Sequence, residues 1–434
     1  VLVGTRTGLV YSLDALSGCV LWVHEAPSAV RSAISVGAIQ GGGFAVYFGD
    51  GLASVHAVDL VTGELRWSTN VETHLAAQIT GAPALHEGRL YVPVSSLEEV
   101  SAADPRYECC TFRGSVVALD AATGDELWKT FVVREAPHRT RLNAIGTQNW
   151  GPSGAGIWSA PTLDPARNLL YVATGDAYSD PVASESDAVV ALAMDTGAIR
   201  WVTQTTAGDA FTLACVSANP LARANCPESN GPDVDYGASA VLVTTGGEDL
   251  LLAGQKSGVM HALRPETGEL VWEARVSDGG MLGGIEWGFA TDGDQVYVSL
   301  SDAIEKAPGQ AGGVTALRVR DGEQVWHAPP VQDTCAGREG CHTAQPGAMT
   351  LIPGVAFASS LDGHIRAHAT DSGRIIWDFD TVREYRTVNG LEARGGSLNG
   401  PGPTVVEGMV YVVSGYATFG HMPGNVLLAF GVED

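Results

Sequence analysis

A few side chains in this sequence could bind a cation or a flat ligand. Glu98 leaves a predicted strand and enters a long insertion, SSLEEVSAADPRYECCTFR. Its carboxylate is suited to a hard cation such as calcium, although a solvated loop glutamate is the alternative. A second insertion, residues 205–236, carries the acidic pair Asp233 and Asp235. Trp158 could stack on a conjugated ligand or be a core residue.

The sequence contains seven cysteines, namely Cys19, Cys109, Cys110, Cys215, Cys226, Cys335 and Cys341. Three close pairs and one remaining residue indicate short-loop disulfides and an oxidising compartment. We expect Cys19, in a turn, to be a buried or half-buried free thiol. Five residues separate Cys335 from Cys341 before His342, where haem attachment needs two, so haem is excluded there. No CxxC pair supports zinc.

Composition and missing motifs exclude several classes of function. The net charge of −24 argues against a nucleic acid or an anionic membrane as partner. No apolar run is long enough to cross a bilayer. The sequence also lacks GxGxxG, HExxH and GxSxG, so nicotinamide, zinc-protease and serine-hydrolase functions have no support.

A repeated hairpin accounts for most of the chain. In GSVVALDAATGDELW, residues 114–128, apolar alternation predicts a strand, Ala-Ala-Thr-Gly a tight turn, and a second strand ends at Trp128. Gly precedes Trp by four residues in every copy, and Ala precedes it by ten in all but the first. The repeated tryptophans are Trp22, Trp67, Trp128, Trp201, Trp272, Trp326 and Trp377. Such a repeat predicts propeller blades with the tryptophans between neighbouring blades.

Seven complete hairpins and a partial one at Val426–Phe430 predict an all-β, eight-bladed β-propeller that forms a single domain over residues 1–434. Because the chain begins without Met or a signal-like segment, we expect truncation at the N-terminus.

Within the blades we predict a glycine-rich turn at Gly41–Gly43 and first strands at Thr80–Leu85 and Ile157–Thr162. The long insertions are expected at one end of the propeller channel, where such folds bind ligands.

Several segments resemble the quinoprotein alcohol dehydrogenases, which are eight-bladed propellers that bind pyrroloquinoline quinone (PQQ) and calcium. The resemblance is strongest to members that act on polyvinyl alcohol. TGAPAL followed by YVPVSSLEE is similar to the segment that holds the quinone and the metal. This resemblance implies PQQ contacts from Thr80, Ser95 and Ser96, and a calcium ligand at Glu98.

Two further segments resemble the centre of the family's site. GAGIWSAPTL is similar to the segment whose Trp lies under the quinone ring, which implies that Gly156 and Trp158 bind the cofactor. Asp176 stands where the family usually has Asn on calcium. GPDVDYGAS implies that Asp235 is the catalytic base and a calcium neighbour, although Val234 replaces the family's usual Trp. Because converging carboxylates repel, the three predicted ligands should act at a metal together or not at all.

The remaining resemblances concern the edge of the quinone. AGQKSGVMHAL implies that Lys256 contacts the quinone oxygens, and GGIEWGFA implies a contact from Trp287, although the family more often has Asn before that Trp. Arg113 either contacts a PQQ carboxylate or only opens the next strand. Many family members cover PQQ with a disulfide between adjacent cysteines, which implies a Cys109–Cys110 bond.

The resemblance implies oxidation of primary, secondary or polymeric alcohols, with electrons passed to a c-type cytochrome, in the periplasm or outside the cell. No CxxCH occurs in the sequence, so we expect that haem on another domain or protein. The main alternative is a non-catalytic propeller scaffold for protein–protein contacts in the cell envelope. A sugar lectin or hydrolase is a third. A scaffold would not need Trp158, adjacent cysteines and converging carboxylates together.

Overall fold

The computed structural model describes residues 1–39 and 42–432, which are almost entirely strand and connecting loop. Gly41, the first residue of the predicted glycine-rich turn, lies outside the described residues. The chain divides into two compact units. The first comprises residues 1–235 and 266–268, and the second comprises residues 236–265 and 269–434.

The first unit contains four antiparallel sheets of three to five strands and two smaller pairs of strands. The first two sheets are β1 (Leu2–Gly4), β2 (Leu9–Leu13) and β3 (Val20–Glu25), then β4 (Ser35–Ala38), β5 (Phe44–Gly49), β6 (Ser54–Asp59) and β7 (Leu65–Asn70). The third sheet consists of β8 (Ala77–Gln78), β9 (Ala84–His86), β10 (Arg89–Ser96), β11 (Ser115–Asp120) and β12 (Glu126–Phe131). After β10 comes a single turn of helix, α1 (Glu98–Ser101).

Small paired segments precede and interrupt the fourth sheet. In chain order the strands are β13 (His138–Leu142), β14 (Gln148–Gly151), β15 (Ser153–Gly154), β16 (Thr162–Asp164), β17 (Leu169–Ala173), β18 (Ala177–Ser179), β19 (Ala188–Ala193) and β20 (Ile199–Gln204). The fourth sheet has the order β16-β17-β19-β20, while β13 pairs with β14 and β15 with β18. Two 3₁₀ helices follow in the insertion, at Leu213–Val216 and Ala222–Asn225.

The second unit also contains four sheets. Its strands are β21 (Val241–Thr245), β22 (Glu248–Gly254), β23 (Val259–Leu263), β24 (Leu270–Arg275), β25 (Ala290–Thr291), β26 (Gln295–Ser299), β27 (Val314–Arg318), β28 (Gln324–Ala328), β29 (Thr350–Ile352), β30 (Val355–Ser359), β31 (His364–Ala369), β32 (Ile375–Asp380), β33 (Glu384–Arg386), β34 (Glu392–Arg394), β35 (Thr404–Val406), β36 (Met409–Ser414) and β37 (Val426–Phe430). Strands β33 and β34 form a separate hairpin, and a 3₁₀ turn lies at Thr418–Gly420. Four sheets in each unit give the eight predicted blades.

The repeated residues join neighbouring sheets within each unit. Ala118 faces Trp128 across β11 and β12, and the register of the two strands shifts directly after this pair. Five of the repeated tryptophans reach the next sheet with their side chains. The indole N–H groups donate to the carbonyls of Leu60 (from Trp22), Ala121 (from Trp67), Met194 (from Trp128), Val319 (from Trp272) and Thr370 (from Trp326), at 2.8–3.2 Å. The predicted place of these five tryptophans between blades is confirmed.

The repeated glycine is explained by the same contact. Gly124 has a φ of 78°, which glycine adopts at little cost. A Cβ there would also lie 2.6 Å from the Trp67 ring. The core lies between consecutive sheets in the same way, with Tyr47 and Val55 of the second sheet packed with Leu90 of the third.

The predicted first strands of the third and fourth sheets begin too early. The structure has strand at Ala84–His86 rather than from residue 80, and at Thr162–Asp164 rather than from residue 157. The residues before each strand instead bond to one another, since the Thr80 hydroxyl donates to the Trp158 carbonyl at 3.1 Å. Among the residues described, no helix has the length and apolar character needed to span a membrane.

Candidate functional site

A group of buried aspartates lies in the first unit. Asp176 follows β17, and Asp233 and Asp235 come from the insertion after β20. One carboxylate oxygen from each lies within 4.8 Å of the other two. The backbone N–H of Asp176 donates to Asp235 Oδ1 at 2.6 Å. The structure therefore brings the predicted pair Asp176 and Asp235 together and adds Asp233.

A fourth aspartate holds the insertion in place. Asp209 is buried, and its carboxylate accepts the backbone N–H groups of Asp233 at 3.2 Å and Val234 at 3.0 Å. Asp233 has a φ of 58°, a backbone conformation that aspartate tolerates better than most residues. The loop is thus turned so that the acids on both sides of Val234 reach Asp176.

The electrostatics of this group favour a cation. Burial, followed by the charges of Asp235, Asp233 and Glu99, raises the pKa of Asp176 well above its usual range. Asp176 Oδ2 is buried and has no hydrogen-bond partner within the described ranges. A buried oxygen without a donor costs free energy unless something else satisfies it. A divalent cation with oxygen ligands fits that need.

Glu98 does not join the aspartates. It begins α1, is fully buried, and accepts three hydrogen bonds from the segment that carries Cys109 and Cys110. The neighbouring Glu99 is half-buried, and its charge contributes to the raised pKa values of Asp176 and of Tyr178, after burial in both cases. Glu99 was not predicted, because nothing in the sequence shows which of two adjacent glutamates turns toward the acids.

The predicted tryptophan lies beside the acids. A Cβ built on Gly175 would be 3.4 Å from Trp158 Nε1 and 3.0 Å from Asp235 Oδ1. Trp158 is half-buried, so part of the residue remains open to solvent. The Thr80 hydroxyl is 3.1 Å from the Ser95 hydroxyl and bonds the Trp158 carbonyl.

Other predicted cofactor contacts in the first unit are Ser96, Gly156 and Arg113. Ser96 accepts the Glu98 backbone N–H at 3.2 Å. Gly156 lies close to Tyr178. A Cβ at residue 156 would be 3.3 Å from the Tyr178 hydroxyl, which is a tight contact. The Arg113 guanidinium donates to the Val133 carbonyl at 3.1 Å and lies 4.0 Å from the Phe131 ring centroid. These contacts hold Arg113 against β12, while its predicted contact with PQQ stays a prediction.

All three predicted disulfides are confirmed. Cys109 bonds to Cys110, Cys215 to Cys226, and Cys335 to Cys341. Cys109 and Cys110 are both buried. The prediction that Cys19 is buried or half-buried is wrong, because this free cysteine is exposed. It lies in the turn between β2 and β3, whose side chains project into solvent.

Two predicted cofactor contacts belong to the second unit. Lys256 follows β22 and is buried. Trp287 is half-buried and lies three residues before β25. Their assignment to the quinone stays a prediction from the family resemblance.

Solved structures of the same architecture match the whole chain. The quinohemoprotein alcohol dehydrogenase of Comamonas testosteroni matches with a TM-score of 0.70 and 17% identity, over 100% of this chain and 73% of that one. BamB from Moraxella catarrhalis matches with a TM-score of 0.57 and 15% identity, over 95% of this chain and 90% of that one. Likeness at such identity shows the fold alone, and the predicted eight-bladed β-propeller is confirmed.

Comparison with known sequences favours an enzyme over a non-catalytic scaffold. Residues 1–232 match the family model described as glucose/ethanol/alcohol dehydrogenase, β-propeller domain, with PQQ. The polyvinylalcohol dehydrogenase of a Pseudomonas species is 44% identical over 446 residues, which cover 99% of this chain and 69% of that protein. The chain therefore belongs to the PQQ-dependent alcohol dehydrogenases, as its sequence motifs predict.

Proposed function

We propose that the protein oxidises the hydroxyl groups of a polymeric alcohol, using PQQ and one calcium ion, with Asp235 as the proton acceptor. The polymer is proposed because the 44% identical relative is a polyvinylalcohol dehydrogenase. The observation that carries the chemistry is the buried group of Asp176, Asp233 and Asp235 beside Trp158.

Calcium is proposed from the donors present. Asp176, Asp233 and Asp235 offer converging carboxylate oxygens, which suit calcium better than a soft metal. Glu99 is a further candidate ligand. Asp176 Oδ2 has no hydrogen-bond partner among the described residues, and a bound cation would satisfy it. The cation would also offset the mutual repulsion of the acids. It would also polarise an adjacent quinone oxygen.

PQQ, when bound, supplies the two-electron acceptor that the side chains lack. Trp158 is half-buried, and its indole offers a flat surface on which the quinone could stack. Thr80 and Ser95 would contribute hydroxyl groups near that surface. The Cys109–Cys110 bridge, with Lys256 and Trp287, completes the proposed contacts from the family resemblance.

Asp235 is proposed to accept the proton of the substrate hydroxyl. One of its oxygens is held by the Asp176 backbone N–H at 2.6 Å, which orients the carboxylate. A general base must lie within hydrogen-bond reach of the proton that it removes, and Asp235 lies beside the proposed stacking surface.

The electrons are proposed to leave through a c-type cytochrome. The three disulfides indicate an oxidising compartment, which supports a periplasmic or secreted location.

Reconstitution tests the proposal. Purified protein should take up PQQ only with calcium, and should then reduce a dye with polyvinyl alcohol faster than with short primary or secondary alcohols. Uptake without preference for the polymer would contradict the substrate. Absence of quinone uptake at saturating calcium would favour the scaffold alternative.

A further inference from the structure

The Glu98 carboxylate accepts hydrogen bonds from residues on both sides of the adjacent cysteines. Its Oε1 accepts the Tyr107 hydroxyl at 2.9 Å and the Thr111 backbone N–H at 2.8 Å. Its Oε2 accepts the Phe112 backbone N–H at 2.8 Å. His74 Nε2 lies 3.4 Å from Oε1. Hydrogen bonds to an ionised carboxylate are stronger than neutral ones, and Glu98 itself is fully buried.

The same segment is also held by other bonds, among them Gly154 N donating to Phe112 O at 2.8 Å. The backbones of Cys109 and Trp150 bond to each other, with Trp150 N donating to Cys109 O at 2.7 Å and Cys110 N to Trp150 O at 3.2 Å. The buried Asn225 amide donates to the carbonyls of Asp104 and Tyr107, each at 3.0 Å. Without Glu98, however, the side after Cys110 would lose its bonds from Thr111 and Phe112.

We propose that Glu98 positions the disulfide segment, residues 107–112, over the quinone site and is not a calcium ligand. This rests on the proposed function, in which the Cys109–Cys110 bridge covers PQQ. Both Glu98 oxygens already accept backbone donors, and the aspartates group without it. Consecutive residues of a helix point about 100° apart, so Glu98 and Glu99 serve different sides.

The first test is the rate at which a phosphine reduces the Cys109–Cys110 bond in quinone-free protein, followed by alkylation and mass spectrometry. Glu98→Gln cannot accept both backbone N–H groups, so we expect reduction to accelerate about tenfold or more, the scale of one hydrogen bond to a charged group. Reduction of Cys335–Cys341 should not change. An unchanged rate for Cys109–Cys110 overturns the proposal.

The second test separates positioning from metal binding. In Glu98→Gln, calorimetric calcium affinity should stay within about threefold of wild type, while PQQ affinity at saturating calcium should fall about tenfold. Loss of calcium affinity in this variant overturns the proposal. Glu126→Gln is the control, because Glu126 is an exposed glutamate of β12 outside the disulfide segment, and it should change neither affinity.

Tyr107→Phe provides a milder variant if Glu98→Gln does not fold. It removes one donor and keeps both backbone bonds, so reduction should accelerate a few-fold; no acceleration would count against the proposal. If wild-type protein binds no PQQ, the proposed function fails, whereas the reduction rates still decide whether Glu98 holds the segment.

Discussion

Two groups of aspartates balance their charge differently. In the first unit, Asp176 lies with Asp233 and Asp235, and its Oδ2 has no hydrogen-bond partner in the part of the chain that the structure describes. In the second unit, Asp362 faces the fully buried Arg366, with Arg366 Nη2 2.7 Å from Asp362 Oδ2. The Asp176 group needs a bound cation to balance its charge, whereas the Asp362 group is balanced by the guanidinium of Arg366.

The second group is a network of ion pairs and hydrogen bonds. Arg366 Nε also lies 3.3 Å from Asp378 Oδ2, and His364 Nδ1 lies 2.6 Å from Asp378 Oδ1. Thr334 donates to Asp362 at 2.7 Å. Satisfied buried charges hold a structure together, while converging charges of one sign indicate a binding site. The comparison thus assigns stability to one group and function to the other.

The largest expected effect is on catalysis. Asp235→Asn keeps the shape and an oxygen ligand but cannot accept a proton, so turnover should fall about 10²–10⁴-fold. PQQ should still bind, because Trp158 and Thr80 remain. Turnover and bound PQQ are measured on the same preparation. Wild-type turnover would show that Asp235 is not the base.

Removal of the internal cation should cost stability instead. Arg366→Met leaves Asp362 buried without its partner, and such a loss typically costs about 3–5 kcal/mol in free energy of unfolding. Urea unfolding followed by tryptophan fluorescence measures it, and PQQ uptake by the folded variant should remain. A cost near zero would mean that the network does not stabilise the protein.

Removing a charged group from the aspartates of the first unit should raise the free energy of unfolding, whereas removing Arg366 should lower it. In calcium-free protein at neutral pH, Asp176→Asn removes a buried charge that is repelled by its neighbours. The free energy of unfolding should rise, because asparagine carries no charge for the neighbouring acids to repel. Calcium affinity, measured by calorimetry, should fall. Destabilisation of the calcium-free variant would contradict the proposed repulsion.

The pH dependence of the two groups should differ in sign as well. Burial and neighbouring acids raise the pKa of Asp176, so calcium-free protein loses stability as pH rises from the ordinary range of an aspartate to that raised pKa. Burial opposes ionisation of Asp378, but His364 and Arg366 lower its pKa overall. Its contribution is complete above the ordinary range and is lost as pH falls through the lowered pKa. Thermal melting of Asp176→Asn and Asp378→Asn across pH distinguishes the two.

The blades could be predicted because their signals are local and repeated. Gly124 and Trp128 mark a turn and a strand end wherever their pattern occurs, and the pattern survives in seven copies. The first strands were misplaced because residues near Thr80 and Trp158 follow irregular paths toward the site, where side-chain bonds replace strand pairing. Periodicity carries no information about such segments.

The site was predicted in part. Asp176 and Asp235 meet as expected, since family motifs mark both. Which of Glu98 and Glu99 faces the aspartates depends on how one helical turn is rotated. Whether the Cys19 thiol is buried depends on the direction of one turn residue. Neither can be predicted from the sequence pattern. The network of Asp362, Arg366 and Asp378 matches no motif in the sequence.

The smallest expected effect tests whether burial, rather than pairing, gives Arg366 its importance. Arg318 also lies beside two carboxylates, with Nη1 3.0 Å from Asp321 Oδ2 and 2.5 Å from Glu323 Oε2, but at the end of β27, where both carboxylates are exposed. Water screens exposed pairs and solvates the partners that remain. Arg318→Met should therefore leave the urea midpoint within experimental error, although it removes the same kind of interaction as Arg366→Met. If both variants lose similar stability, the number of ion pairs matters more than their burial.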